Sequence, residues 1–253
     1  MRPNYEDLDI RFIIISSGRY KTITSHLLFP YATLLVPEAQ KECYAHVKVK
    51  DLRTVPDDII GLGPLRNWVL RNFKEEFVVM IDDDIKHLWC ISQEFGYKVT
   101  KPQEIYDVIE SAALCAKDIG TSFFGFNQGW DVRKYKPDTP FKLTGWAGGV
   151  IGVVGRRHRF LQCNLFKVDI DFCLEVLLHD RVVWLDNRFS FVQIRESNKG
   201  GNSVFRTADK VRNELDILKR KWGRHFIHFF TPQGETVKLD VSRKNPRVKT
   251  YLS

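Results

Sequence analysis

Three consecutive carboxylates, Asp82, Asp83 and Asp84, follow an apolar run at residues 77–81. Adjacent negative charges repel one another and disturb one another's ionisation unless a cation is bound. In an extended segment Asp82 and Asp84 project to the same side, where they could reach a hard divalent cation through oxygen. This acidic triplet therefore predicts a metal site at Asp82 and Asp84. An exposed acidic turn is the alternative when such a motif stands alone.

A second pair of carboxylates, Asp169 and Asp171, stands two residues apart just before an apolar stretch with helical spacing. A carboxylate within hydrogen-bond reach of a substrate hydroxyl can act as a general base. Alternatively, Asp169 caps the helix. Between the two acidic motifs, Trp146, Gly148 and Gly149 combine an indole with small residues, which lets a sugar or a base approach the backbone closely. A strand start with a packed Trp is the other interpretation.

The elements that must position these residues alternate along the chain. Apolar runs of strand length occur at residues 10–15, 32–36, 77–81, 122–126 and 182–185. Helical patterns occur at residues 102–119 and 207–222 and from Pro64 onward, with a capping box at Thr100 and Gln103 and an end signal at Gly120. This alternation predicts an α/β fold with a mostly parallel sheet and helices on both faces, whose ligands bind beyond the carboxyl ends of the strands. Residues 127–142 are predicted to form a long loop, and loops of this length tend to be functional or mobile.

The order of these motifs resembles the GT-A glycosyltransferases, and among them the TET/JBP-associated glycosyltransferases of phages, relatives of the base J glucosyltransferase. The resemblance lies in IIISSGRY (residues 13–20), LVPE (35–38), GLGPLRNW (61–68) and the acidic triplet. It implies a GT-A (Rossmann-like) fold and a metal-dependent hexosyltransferase. The implied cofactor is Mn2+ or Mg2+, and the implied donor is a nucleotide sugar, with a UDP-sugar favoured. The implied acceptor is a hydroxymethylated pyrimidine, such as hydroxymethylcytosine, in DNA.

Two loops are expected to contact the donor. The loop after the first strand offers backbone donors, a guanidinium and an aromatic ring at Ser17, Arg19 and Tyr20. Glu38, at the end of the second strand, could accept hydrogen bonds from a ribose or a base. A polar turn and a capping acid are the corresponding structural alternatives.

A predicted helix supplies the remaining donor contacts. Arg66 and Asn67 are placed in its first turn, where the helix N-terminus favours an anion, and Arg66 is the predicted phosphate or sugar contact. A surface cation is the alternative for Arg66. Asp82 and Asp83 complete the predicted donor site.

In inverting GT-A enzymes, a carboxylate in a similar position removes the proton of the acceptor hydroxyl. Asp171 is the first choice for this role and Asp169 the second. Trp146, Gly148 and Gly149 resemble the glycine-rich acceptor loop of several GT-A families. Trp130, Tyr135 and Trp146 are candidates for stacking on a base that has been drawn out of the duplex.

Many GT-A sites take another metal ligand from a C-terminal histidine. His225 and His228 are available here, although neither lies in a recognisable motif. Their aromatic neighbours are also compatible with ordinary core histidines.

The net charge of +8 is concentrated at the C-terminus. Residues 195–253 contain 14 Lys and Arg against 6 Asp and Glu, whereas residues 1–194 contain 25 of each kind. Because phosphate neutralisation supplies most of the non-specific affinity for DNA, this segment is the candidate DNA-binding face. A second basic cluster at residues 156–159 supports that interpretation, and a solvated basic tail is the alternative.

The chain is interpreted as a catalytic domain at residues 1–194 and a basic segment at residues 195–253 that packs on the same domain. No run approaches the roughly 20 apolar residues of a membrane span, and the N-terminus is polar. The five cysteines are scattered singly. These features predict a cytoplasmic protein without a membrane partner, located in the host cytoplasm if it comes from a phage.

Three other functions are compatible with the motifs. The acceptor could be a carbohydrate or a protein, the chain could be a DNA-binding module with an inactive donor site, or the acidic triplet could serve a metal-dependent nuclease. The nuclease is disfavoured because the sequence has no obvious second acidic cluster for a two-metal site. Release of nucleoside diphosphate distinguishes a transferase from a nuclease.

Overall fold

The computed structural model describes residues 8–92, 95–129, 131–162, 167–193, 207–231 and 234–241. Within these residues the strands are β1 (Ile10–Ile15), β2 (Thr33–Pro37), β3 (Asp51–Val55), β4 (Phe77–Asp82), β5 (Ile85–Ile91), β6 (Gly96–Val99), β7 (Phe123–Phe126), β8 (Phe141–Lys142), β9 (Val150–Val154), β10 (Trp184–Asp186), β11 (Phe189–Gln193), β12 (Phe226–Thr231) and β13 (Gly234–Leu239). The α-helices are α1 (Ser25–Leu28), α2 (Leu62–Asn72), α3 (Pro102–Asp118), α4 (Val168–His179) and α5 (Ala208–Trp222). Short 3-10 helices occur at Glu38–Tyr44, Val132–Lys134 and Gly223–His225.

The main sheet has eight strands in the described part of the chain, in the order β3-β2-β1-β4-β9-β7-β10-β8. Strand β1 pairs in parallel with β2 and β4, β2 with β3, and β7 with β10. Strands β9 and β8 run antiparallel to their neighbours. The predicted mostly parallel sheet is confirmed, and the carboxyl ends of its parallel strands form the edge at which ligands bind in such folds.

Helices cover both faces of this sheet. Along β4, Val78 and Met80 belong to one core cluster and Val79 and Ile81 to another, because successive side chains of a strand point to opposite faces. Helices α2, α4 and α5 contribute to the first cluster, whereas α1 and α3 contribute to the second. The predicted covering of both faces is thereby confirmed.

One helix end agrees with the sequence prediction, and two helix starts differ from it. Gly120, with a φ of +75°, follows the end of α3 as predicted. The capping box at Thr100 and Gln103 is wrong, because α3 has no side-chain cap. Helix α2 begins at Leu62, so Arg66 lies in its second turn and not in its first. The helix dipole, which acts mainly in the first turn, therefore does not explain anion binding at Arg66.

The acidic triplet leads directly into a second sheet with the order β11-β5-β6. Strand β5 begins at Ile85, and β11 runs antiparallel to it. The register slips by one residue between Val192 and Gln193, so that Gln193 pairs with Ile85. A bulge of this kind changes the direction of the side chain that follows it. Gln193 is thus brought next to the acidic triplet.

The C-terminal elements share the core of the main sheet. Leu215 and Leu218 of α5, Phe226 of β12 and Leu239 of β13 belong to the same cluster as the apolar residues of α4. The boundary between residues 1–194 and 195–253 stays a prediction. None of the described helices combines the length and the apolar character needed to cross a membrane.

Candidate functional site

The acidic triplet lies where the chain leaves the main sheet. Asp82 is the last residue of β4, whereas Asp83 and Asp84 form the turn before β5, so the triplet is not one extended segment. The carboxylates of Asp82 and Asp84 nevertheless converge, because Gln193 Nε2 donates to Asp82 Oδ2 at 2.8 Å and to Asp84 Oδ1 at 3.3 Å. Two carboxylate oxygens that share one partner form a donor set that fits Mn2+ or Mg2+.

Asp83 is buried in a network on the β1 side of the triplet. Its oxygens accept hydrogen bonds from Ser16 Oγ at 2.6 Å and from Arg19 Nη1 at 2.7 Å, and Arg19 Nη1 also contacts Asp84 Oδ2 at 3.0 Å. Tyr44 OH bonds Ser16 Oγ at 2.7 Å and accepts from Arg19 N at 3.0 Å. Burial raises the pKa of Asp83 in spite of these donors. Ser16 and Tyr44 thus belong to this network, although neither was among the predicted site residues.

The other predicted donor contacts lie on the loops that follow β1 and β2. Ser17 Oγ accepts a hydrogen bond from Gln40 Nε2 at 3.4 Å. Tyr20 is half-buried, and Glu38 is exposed at the start of a 3-10 helix. These residues follow the carboxyl ends of two neighbouring parallel strands. Their contacts with a donor stay predictions.

Arg66 is a buried cation, 2% exposed, between the two acidic motifs. Its Nη2 lies 3.9 Å from Asp82 Oδ1 and its Nη1 lies 3.9 Å from Asp169 Oδ1, while its guanidinium lies over the Phe160 ring. Its Nε and Nη1 have no hydrogen-bond partner among the described residues. An anionic ligand would relieve this costly state. Burial, with the charges of Asp84 and Asp169 adding to it, raises the pKa of Asp82 to about 7 against the attraction of Arg66.

Asn67 is fully buried, and its amide bonds the backbone of Phe160. Its Nδ2 donates to Phe160 O at 2.7 Å and its Oδ1 accepts from Phe160 N at 2.9 Å. Both polar groups of the amide are therefore occupied by one backbone segment. This placement corrects the predicted donor contact: Asn67 holds Phe160, whose ring lies beneath the guanidinium of Arg66.

Asp171, the first choice for a general base, is bound to α5. It is 1% exposed, its two oxygens contact Lys221 Nζ at 2.8 and 3.0 Å, and Trp222 Nε1 donates to Oδ1 at 2.7 Å. A carboxylate whose oxygens are both occupied by such partners is poorly placed to meet an acceptor hydroxyl. Asp171 thus joins α4 to α5, and the catalytic roles of Asp171 and Asp169 stay predictions.

Asp169 lies in the first turn of α4 and is 18% exposed at its side chain. A Cβ added at Gly148 would lie 2.5 Å from Asp169 Oδ2, so a glycine there lets the carboxylate approach the backbone. Asp169 does not cap the helix, because Lys167 is the N-cap residue. Lys167 N donates to Glu214 of α5, which holds the start of α4 in place.

The glycine-rich loop before β9 adjoins the acidic triplet. Gly149 O accepts a hydrogen bond from Asp82 N at 2.7 Å. Gly149 has a φ of +74°, and a Cβ there would lie 3.0 to 3.3 Å from the amide atoms of Gln193. Trp146 is half-buried against the core, and Trp130 lies outside the described residues. The acceptor roles of these residues stay predictions.

A cavity of about 1280 Å³, here called the loop cavity, opens beside these carboxylates. Its lining from the long loop and β11 includes Asn127, Gln128, Lys134, Tyr135, Lys142 and Gln193. Gln193 contacts Asp82, and Gln128 Nε2 donates to Gly148 O at 3.3 Å, next to Asp169. Two glutamines of the cavity lining therefore connect it to the acidic motifs, although the carboxylates themselves are not among its lining residues.

Residues 10–202 match the TET-Associated Glycosyltransferase family. The chain belongs to the TET-associated glycosyltransferases. The prediction of a glycosyltransferase from this branch is confirmed by that membership. No curated protein sequence matches the chain.

Solved structures share the fold of this TET-associated glycosyltransferase at low sequence identity. Mannosyl-3-phosphoglycerate synthase from Rubrobacter xylanophilus is 13% identical with a TM-score of 0.50, over 93% of this chain and 85% of that one. Glucosyl-3-phosphoglycerate synthase from Mycobacterium tuberculosis, solved with Mn2+, uridine diphosphate and glucosyl-3-phosphoglycerate, is 11% identical with a TM-score of 0.50, over 96% and 94%. S. aureus TarS 1-349 is 10% identical with a TM-score of 0.45, over 72% of this chain and only 60% of that one. The two synthases, together with the family match, confirm the predicted GT-A fold.

The two histidines that were considered as metal ligands lie at the C-terminal hairpin of the TET-associated glycosyltransferase. His225 Nδ1 bonds Asp240 O at 2.8 Å, and His228 pairs with Val237 across the hairpin. The described parts of the chain contain no group of three or more His, Cys, Asp or Glu that could hold a metal. A histidine ligand stays a prediction.

The basic cluster at residues 156–159 contains one arginine held within the fold, Arg156, and two exposed arginines, Arg157 and Arg159. Arg156 donates to Leu70 O at 2.9 Å, Phe73 O at 2.6 Å and Glu75 O at 2.8 Å. Arg157 donates to a backbone carbonyl at 2.9 Å. Arg156 is thus occupied by backbone carbonyl oxygens, whereas a contact of the exposed Arg157 and Arg159 with DNA stays a prediction.

Proposed function

We propose that the chain is a metal-dependent glycosyltransferase that moves a sugar from a nucleotide-sugar donor to a hydroxymethylated pyrimidine base in DNA. The observation that carries the proposal is the pair of glutamines, Gln193 and Gln128, that connects the loop cavity to the two acidic motifs. Gln193 bonds Asp82, and Gln128 bonds Gly148, against which Asp169 lies. A DNA base in the cavity would have the nucleotide-sugar site at Asp82 on one side and the proposed general base, Asp169, on the other. Membership of the TET-associated glycosyltransferases supports the same reaction.

On the donor side, Asp82 and Asp84 would hold Mn2+ or Mg2+. When bound, such an ion neutralises the charge that develops on a leaving nucleoside diphosphate. The fold relative solved with Mn2+ and uridine diphosphate supports a UDP-sugar as the donor. Arg66, whose buried Nε and Nη1 have no hydrogen-bond partner in the described part of the chain, would contact a donor phosphate or the sugar. Arg19 would act from the other side, where it now binds Asp83 and Asp84.

On the acceptor side, Asp169 is the proposed general base. Its carboxylate lies beside Gly148 and near Arg66, whereas Asp171 is occupied by Lys221 and Trp222. A base hydroxyl inside a duplex cannot reach a donor carbon, so the target base is expected to leave the stack and enter the loop cavity. Tyr135 lines this cavity and is the proposed stacking partner within the described residues.

Acceptor-dependent release of uridine diphosphate tests the proposal. The protein is incubated with Mn2+ and UDP-sugars, and with duplexes that differ only in carrying cytosine or hydroxymethylcytosine. We expect the hydroxymethylated duplex alone to stimulate release. Equal release with both duplexes would contradict a modified-base acceptor, and stimulation by an oligosaccharide in place of DNA would support the carbohydrate alternative.

Replacing Arg66 with alanine is expected to weaken uridine diphosphate binding by about 1.5 to 3 kcal/mol, because it removes a charge-assisted contact from a desolvated site. DNA affinity is expected to change little. Titration calorimetry with uridine diphosphate and fluorescence anisotropy with DNA measure the two affinities. The Arg66→Lys variant keeps the charge but loses the planar fork, and intermediate binding is expected. Equal losses for both ligands would instead assign Arg66 to the acceptor side.

Helix α5 presents exposed cations to which a DNA backbone could bind. Arg212 and Lys219 are exposed and seven residues apart, so they share a face of the helix. Neutralising both to Gln is expected to reduce the slope of log affinity against log salt by about 2, since each phosphate contact contributes roughly 0.9. Lys48 and Lys50, exposed before β3 at the amino end of the sheet, provide the matched control. An unchanged slope in the α5 variant would remove this helix from the DNA path.

A further inference from the structure

Gln193 occupies the point at which the two proposed metal ligands meet. Its Nε2 lies 2.8 Å from Asp82 Oδ2 and 3.3 Å from Asp84 Oδ1, so one amide hydrogen-bonds both carboxylates. The amide is held there by the bulge that pairs Gln193 with Ile85, the residue after the triplet. Gly149 leaves room for it, because a Cβ there would lie 3.0 Å from Gln193 Cδ.

A cation bound by Asp82 and Asp84 would lie between the two carboxylate oxygens that Gln193 Nε2 now hydrogen-bonds. A glutamine amide carries a donor and an acceptor on the same end. A half-turn of the amide exchanges Nε2 for Oε1 without moving the backbone. The side chain can therefore donate to the carboxylates without a cation and present a carbonyl oxygen to one. Carbonyl oxygens of Gln are normal ligands of hard divalent cations.

We infer that Gln193 is a third protein ligand of the divalent cation, through Oε1, and that it holds the carboxylates of Asp82 and Asp84 together before the cation binds. This inference rests on the proposed function for the cation site itself. Gln193 takes the place of His225 and His228 as the source of a third ligand, because its contact with both carboxylates already exists within the described residues.

Direct Mn2+ binding tests the inference without reference to catalysis. Free Mn2+ is measured by electron paramagnetic resonance during titration of the full chain, with and without uridine diphosphate. We expect Gln193→Ala to weaken Mn2+ binding at least about tenfold and Gln193→Glu to retain or strengthen it, because the carboxylate supplies an oxygen and a charge. Gln103→Ala is the matched control, since Gln103 makes a similar amide-to-carboxylate contact with Asp107 on α3.

The titrations separate failure of this inference from failure of the proposed cation site. If Gln193→Ala binds Mn2+ as tightly as the unmodified protein, or more tightly, Gln193 is not a ligand. If Asp84→Asn loses Mn2+ binding in the same experiment, the proposed cation site itself still stands. Mn2+ binding that is unchanged in Asp84→Asn would overturn both the proposed site and the inference built on it.

Discussion

Replacing Asp169 with asparagine is expected to lower the rate of sugar transfer by about 10²- to 10⁴-fold, the range that a positioned general base contributes. The change keeps the shape of the side chain that lies against Gly148. Binding of uridine diphosphate is therefore expected to remain close to that of the unmodified protein. Single-turnover transfer and calorimetric titration with uridine diphosphate measure the two effects separately.

Asp171→Asn is the matched control, two residues away on the same helix. It weakens the contacts with Lys221 and Trp222 and is expected to lower the free energy of unfolding by about 1 to 3 kcal/mol. Transfer by the folded variant is expected to stay within about tenfold of the unmodified rate. An inactive Asp171→Asn protein beside an active Asp169→Asn protein would show that Asp171 is the base.

Asparagine at Asp82 or at Asp84 is expected to lower transfer at least about 100-fold, since the loss of one carboxylate ligand removes several kcal/mol of charge stabilisation. The fold is expected to survive. Removing a charge reduces the repulsion among carboxylates that helps to raise the pKa of Asp82, so the metal-free Asp82→Asn protein is expected to be at least as stable as its parent. Transfer assays and urea unfolding measure these two outcomes.

Asp118→Asn, at an exposed carboxylate at the end of α3, controls for the general loss of a negative charge. It is expected to leave both transfer and stability unchanged. Full transfer activity in Asp82→Asn, in Asp84→Asn and in the double variant would contradict a metal site at these residues.

The elements that carry local patterns could be predicted from the sequence. Strand β1 begins and ends where its apolar run does, and α3 ends before Gly120 as its end signal requires. The position of the acidic triplet at the carboxyl end of β4 was also predictable, because a buried run that stops at three carboxylates must reach a sheet edge. The position of each of these features is determined by residues that are adjacent in the sequence.

The choice between Asp169 and Asp171 depends on distant residues. Two positions apart on an α-helix are about 200° apart around its axis, so the two carboxylates cannot face the same site. Asp171 is the buried one of the two because it binds Lys221 and Trp222, which lie roughly 50 residues later in the chain. Gln193 was missed for a similar reason, since its contact with Asp82 follows from the register between β5 and β11.

The mass of the modified nucleoside tests the proposed sugar transfer to DNA most directly. Duplex DNA that contains hydroxymethylcytosine is incubated with the protein, Mn2+ and a panel of nucleotide sugars, digested to nucleosides and analysed by mass spectrometry. We expect a hexose-sized addition to hydroxymethyldeoxycytidine alone, lost in Asp169→Asn and in Asp84→Asn. An unmodified nucleoside pool, accompanied by transfer of the sugar to a carbohydrate or a protein, would contradict the proposed acceptor.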